Sequence, residues 1–376
     1  MPFIKSRRTN RRRKHLPKNI RRRLSRKLSA WRMYKKHRTV SRRSRYKQLV
    51  AECRTMISDY TSRTEERLLD SGNISNFYRY CNRSFSNYSA IGPLKTSSDD
   101  IVTDAQAKAN LLQKSFSGCF TVDNGVVPPS PLRTTARICN IAFTHTSVRR
   151  CISKLRPKSK CGPDKIPSIF IKKCSLWLTE PLVYLFTQSF AVGFIPQIWK
   201  TAHISPILKK GDPTNPSNYR PIALTCIFCK IMETIIKNEM LSYLSENNII
   251  SSKQHAFLKK CSTTTNLLEC TREWSLALDC GKAVDIIYID FERAFDSIVH
   301  SKLILKLTSI GICDNLLRWI GCFISNRVQS VVVDNCVSDY CTVTSGIIQG
   351  SVLGPLLFIV FINDLTNIHY TILFYY

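Results

Sequence analysis

At 376 residues, 44% of them apolar, the chain has room for two or three domains with sizeable cores, which excludes a disordered tail or a short peptide module. Its 56 Lys and Arg against 26 Asp and Glu give a net charge of +30, far more than solubility requires, and point to a polyanionic partner. The excess is local: residues 1–50 hold 21 cations and no carboxylate, leaving 35 cations against 26 carboxylates for the rest.

Runs such as Arg11-Arg12-Arg13 and Arg21-Arg22-Arg23 in this arm fit phosphate contacts, and equally fit a nuclear-localisation or solvated tail. If about 6 to 10 of the cations met phosphates, affinity would fall roughly 10³- to 10⁵-fold between 50 and 200 mM salt. Ile20, Leu24, Leu28 and Trp31 recur at helical spacing among the cations. Trp31 and Tyr34 would either stack on bases or pack against the next element.

A second helix is predicted over residues 48–70, closing a basic helical arm of residues 1–70. Residues 71–134 read as a linker: a Ser-, Asn- and Tyr-rich stretch, a helix over 105–120, then Pro128, Pro129 and Pro131 as breakers. From residue 135 to 376 the pattern is compact and mixed. It holds a short helix around Val148 to Leu155, a long helix over 167–192, a strand over 203–208 and a helix over 226–244. Helices over 301–310 and 315–324 precede a hairpin of 329–334 with 341–344.

The 16 cysteines read as reduced thiols of an intracellular protein, nuclear or cytoplasmic, because no signal peptide opens the chain. Cys226 and Cys229 form the only C-x-x-C, in an apolar stretch better suited to core packing than to zinc. The longest apolar run, residues 356–362, is too short to cross a bilayer, so no membrane partner is expected.

The most informative stretch is residues 284–296. Val284, Ile286, Ile287, Tyr288 and Ile289 read as a buried strand, and Asp290 at its end needs compensation. A divalent cation with substrate phosphates would supply it, which suggests phosphoryl or nucleotidyl transfer. The bland alternative is that Asp290 caps residues 291–297 and Asp296 is solvated. Lys209 and Arg220 flank a Pro/Gly-rich loop suited to neutralising a triphosphate, or are simply two exposed loop cations.

Six segments occur together in order: residues 160–167; 206–212 with 218–222; Gln254-His255-Ala256-Phe257 with 262–264; 288–296; Ser325-Asn326-Arg327; and 346–357. Together they resemble the reverse transcriptase of non-LTR (LINE-like) retrotransposons of the Jockey and CR1 type, from about residue 75 onward. The resemblance implies an α+β fold of right-hand polymerase fingers and partial palm, preceded by the basic helical arm. Residues 71–134 would then join endonuclease and polymerase regions. It implies RNA-directed DNA polymerase chemistry on an RNA template, a DNA primer and deoxynucleoside triphosphates, with Mg²⁺ or Mn²⁺ as cofactor.

By that resemblance Asp290 is the catalytic metal ligand, and Lys209, Arg220, Phe291, Phe295, Gln349 and Gly350 surround the nucleotide. Phe295 would crowd the sugar 2′ position, although a lone Phe is more often core. Arg327, with Arg11, Arg12, Arg13, Arg21, Arg22 and Arg23, would contact nucleic acid. Ile348 stands where the family usually has Pro, and Ala256 and Leu258 replace its Gly and Arg. No Asp-Asp follows Ile362-Asn363-Asp364-Leu365. The expectation is therefore a copy cut before its second metal-binding element, with no thumb, inactive alone. The rival expectation is a non-catalytic nucleic-acid-binding relic acting through the arm.

Overall fold

The computed structural model describes residues 16–70, 91–157, 161–286 and 288–367. The chain divides into two compact units, residues 1–88 and 89–376. The boundary therefore lies well before the expected position near 135, and residues 91–134, read from sequence as linker, are built into the second unit.

In the first unit α1 (Lys18–Lys36) and α2 (Val40–Asp70) form a helical hairpin. Ile20 and Cys53 are buried between them, and Arg23 bonds Glu52 at 3.1 Å. Of the predicted apolar stripe of α1, Ile20 is buried and Leu24 partly buried, whereas Leu28 and Trp31 stay exposed. Trp31 lies 4.9 Å from the Tyr46 ring and 5.8 Å from Tyr34, with Lys35 over its face.

The second unit opens with the short pair β1 (Leu94–Lys95) and β2 (Ile101–Val102), then α3 (Ala105–Ser117). Asp104 caps α3 by accepting the Ala107 N–H, as its position predicts. After α4 (His145–Lys154) the expected long helix is two, α5 (Ser168–Lys173) and α6 (Ser175–Val192), the latter ended by the left-handed Gly193. The single turn α7 (Gln197–Lys200) leads into β3 (Thr201–Leu208), which turns back as β4 (Tyr219–Leu224). Then come α8 (Ile227–Glu246), α9 (Thr263–Asp279), α10 (His300–Ser309) and α11 (Asp314–Ile324). Strands β5 (Arg327–Val333), β6 (Cys336–Val337) and β7 (Cys341–Val343) precede α12 (Gly354–Ile362).

Strand β3 pairs antiparallel with β4 and parallel with β5, and β5 carries β6 and then β7 on its other edge. Helix α3 lies on this sheet, burying Ala109, Leu112 and Phe116 against Ala202, Ile204 and Val331. A larger core gathers the helices around Phe186, Met232, Leu303 and Trp319. Cys226 and Cys229 belong to that core, where burial pushes the Cys226 thiol up to about 12.

Two expectations are corrected. Cys139 and Cys313 are joined as a disulfide, tying the strip before α4 to the start of α11, so the thiols are not all reduced. Val284, Asp285, Ile286, Tyr288 and Ile289 are not in a strand, and Ile287 lies outside the described residues. Among the described residues no segment pairs with this stretch, and without a neighbour to take its N–H and C=O groups a β-branched run stays irregular. Ile286, Tyr288 and Ile289 are exposed instead of buried. No helix of the described residues is long and apolar enough to cross a membrane.

Candidate functional site

The turn between β7 and α12 is tied to two distant segments. Gly350 has φ +110°, and a Cβ there would lie 2.7 Å from the Ala223 carbonyl oxygen on β4. Only glycine lets the turn come this close, and the Ala223 N–H donates to the Gln349 carbonyl at 2.7 Å. On the other side the Gly346 N–H donates to Ile298 and the Ile347 N–H to Phe295. The Ser345 hydroxyl donates to the Asp296 carbonyl, and the His300 imidazole Nε2 lies 2.8 Å from the Gly346 carbonyl.

At the centre of this junction Gln349 Nε2 donates to both carboxylate oxygens of Asp296, each at 3.0 Å. Burial raises the Asp296 carboxyl, and the Gln349 hydrogen bond, Lys209 and Arg293 pull it back. A desolvated carboxyl can hold the amide while cations stand beside it, which fixes how Gln349 presents its side chain. The alternative of a solvated Asp296 does not hold, because its carboxylate is partly buried against Gln349. The one signal of Asp296 is position, six residues after Asp290 and beside Phe295.

Lys209 and Arg220 are both exposed at the loop end of the β3–β4 hairpin. Arg220 faces Ile207 across the ladder, and the Lys209 N–H donates to the Asn218 carbonyl, which makes the two cations diagonal neighbours. Phe295 is half-buried, stacked on Phe358 at 4.7 Å and edge-on to Phe257 at 6.1 Å. Phe291 is half exposed at the rim of an apolar cavity of about 400 Å³ between residues 291–298 and α12.

Asp290 itself is exposed, with no hydrogen-bond partner among the described residues, and caps no helix. Among the described residues no group of three or more His, Cys, Asp or Glu ligand atoms includes it; such a group lies at Cys139, Cys313 and Asp314. One solvated carboxylate does not make up a site for two cations.

Arg327 is a correction. Expected on nucleic acid, it is 2% exposed and donates to the Phe323 carbonyl at 2.8 Å and the Trp199 carbonyl at 3.0 Å, with its guanidinium 5.1 Å from the Phe323 ring. Its planar fork satisfies two helix-end carbonyls, so it joins α7, α11 and β5. Nearby, the fully buried Glu233 accepts the Val352 and Leu353 N–H groups at the start of α12, an anion at a helix N-terminus that sequence reading missed. Arg21 and Arg22 are exposed on α1, Arg23 is engaged by Glu52, and Arg11, Arg12 and Arg13 lie outside the described residues.

Residues 207–375 match the family model of reverse transcriptase (RNA-dependent DNA polymerase). This stretch, a little under half of the chain, is similar to the reverse transcriptase family. The chain is 31% identical over 225 residues to the RNA-directed DNA polymerase from mobile element jockey of Drosophila funebris, covering 60% of this chain and 24% of that protein. It is 30% identical over 215 residues to the probable RNA-directed DNA polymerase from transposon BS of Drosophila melanogaster, 57% and 24% of the two chains. A putative 115 kDa protein of the retrotransposable element R1DM in the same fly is 26% identical over 270 residues, 70% of this chain and 25% of its own. The chain thus spans about a quarter of the length of these relatives. The relatives are of the non-LTR retrotransposon kind that the six segments resemble, and the mixed α+β fold of this chain accords with that similarity.

Proposed function

We propose that the second unit is the fingers and partial palm of an RNA-directed DNA polymerase, working on an RNA template, a DNA primer and deoxynucleoside triphosphates. The observation that carries this reading is the meeting of three motif segments far apart in sequence: β4, residues 295–298 and the 345–351 turn, joined through Ala223, Asp296 and Gln349. In this reading Lys209 and Arg220 neutralise the triphosphate from the β3–β4 hairpin. Gln349, oriented by Asp296, forms the nucleotide pocket with Gly350, whose missing Cβ seats the turn against β4, and with Phe291 and Phe295 beside the sugar.

Asp290 is the family's metal ligand, for Mg²⁺ or Mn²⁺. Two-metal transfer needs cations about 3.5–4 Å apart held by several carboxylates. The described residues offer one, so the expected behaviour of the chain alone is binding without extension. Primer extension on an RNA template with Mg²⁺ and deoxynucleotides tests this. Extension abolished by Asp290→Ala would show that the chain completes its own site. Extension indifferent to Asp290 would remove Asp290 from the mechanism.

A second reading is a non-catalytic nucleic-acid binder acting through the arm. It is favoured by the solitary Asp290 and by the +21 carried on residues 1–50. Nucleotide crosslinking to Lys209 separates the two, because the arm gives no reason for it.

A further inference from the structure

The helical hairpin has a charge pattern that its own packing does not use. Residues 26–47, around the connection between α1 and α2, hold Arg26, Lys27, Arg32, Lys35, Lys36, Arg38, Arg42, Arg43, Arg45 and Lys47 and no carboxylate. The carboxylates Glu52, Asp59, Glu65, Glu66 and Asp70 all come later in α2, interspersed with Arg54, Arg63 and Arg67. The hairpin is thus electrically polar along its length, with a cationic closed end.

Ile20 on α1 and Cys53 on α2 mark the faces turned inward. Helical periodicity from those faces puts Arg21, Arg32 and Lys36 of α1 on the same flank of the hairpin as Arg43 and Lys47 of α2. All five are exposed. Arg21 to Lys36 spans about 22 Å along the helix axis at 1.5 Å per residue, long enough to follow several successive phosphates.

The aromatic residues decide the mode of recognition. Base stacking needs an open ring face, and although Trp31 is 37% exposed, its ring already meets Tyr34 at 5.8 Å and Tyr46 at 4.9 Å with Lys35 over it. The rings hold the helices together and leave the cations as the contact groups. Rigid helices with fixed cations and no reading side chain recognise a backbone, not a sequence.

We infer that this flank of the hairpin is a second nucleic-acid site, separate from the nucleotide pocket, which takes the phosphodiester backbone of a single strand without regard to base. It deepens the reading of the arm as a nucleic-acid binder and does not rest on the polymerase reading. Each phosphate contact on a single strand contributes about 0.7 to the slope of log affinity against log salt.

The test uses the full chain in EDTA without nucleotide, titrated with a mixed-sequence single-stranded RNA at several salt concentrations. The fourfold variant R32Q, K36Q, R43Q, K47Q is expected to lower that slope by about 3, with the helix content seen by circular dichroism unchanged. Shuffling the RNA sequence should leave affinity unchanged, and Asp290→Ala should keep the full slope. An unaltered slope in the fourfold variant overturns the assignment. So does loss of binding to phosphatidylserine vesicles with RNA binding intact, which would make the flank a membrane contact. Failure of primer extension leaves this result untouched, so the two readings fail separately.

Discussion

The 345–351 turn and the 284–291 segment are both motif stretches of the same unit, yet they differ in how they are held. The turn bonds through its own backbone and side chains to β4 and to residues 295–298, and both its glycines sit at positive φ against neighbouring backbone. The described residues of the 284–291 segment, the more strand-like of the two in sequence, are exposed from Asp285 onward and belong to no sheet. A turn can be completed by whatever backbone it touches, whereas a strand exists only beside another strand.

The largest effect that would sharpen this contrast concerns the support beneath the turn. Arg327→Ala should cost about 3–5 kcal/mol, because it strands the Phe323 and Trp199 carbonyls and leaves Glu233 without its nearby cation. Urea unfolding measures it, and a loss under 1 kcal/mol would mean that Arg327 is not the tie described. Gly350→Ala should cost about 2–3 kcal/mol from its strained φ, with more from contact with Ala223. The denaturant midpoint reports it, and a neutral result would separate the turn from β4.

A pH effect comes next. Burial holds the His300 imidazole below its usual value, outweighing the Gly346 carbonyl that favours its charged form. Below about 6.5 the unfolded chain binds a proton that the folded chain does not, so stability is full above that value and falls as pH drops through it. The melting temperature should decline between roughly pH 7.5 and 5.5, and His300→Gln should flatten the decline. The smallest effect is expected at the other end of the comparison. Tyr288→Ser and Ile289→Thr should change stability by about 0.5 kcal/mol or less, because both side chains are exposed. A loss above 1 kcal/mol would break the contrast by showing that the segment is packed.

Much of the fold was legible from periodicity. The helices around Val148, over 226–244, over 301–310 and over 315–324, and the hairpin of β5 with β7, all occur where apolar spacing puts them. What stayed hidden depends on partners. The sequence carries no mark that Cys139 would meet Cys313, or that Trp199 and Phe323 would turn their carbonyls to Arg327, because these pairings arise only after the helices dock. In the site, Gln349 and Gly350 were found through resemblance and Asp296 was passed over. A carboxylate's role depends on its surroundings, and Asp296 acquires one only when the turn arrives beside it.

The parallel contact of β3 with β5 sets an order on assembly. Thr201 lies beside Val328, so the sheet's middle seam closes only after α8 to α11 have been made and have folded back. Until then the β3–β4 hairpin, with Lys209 and Arg220 at its tip, must wait with one edge bare. A ribosome-bound chain halted before β5 should therefore be the sticky, protease-sensitive intermediate of synthesis.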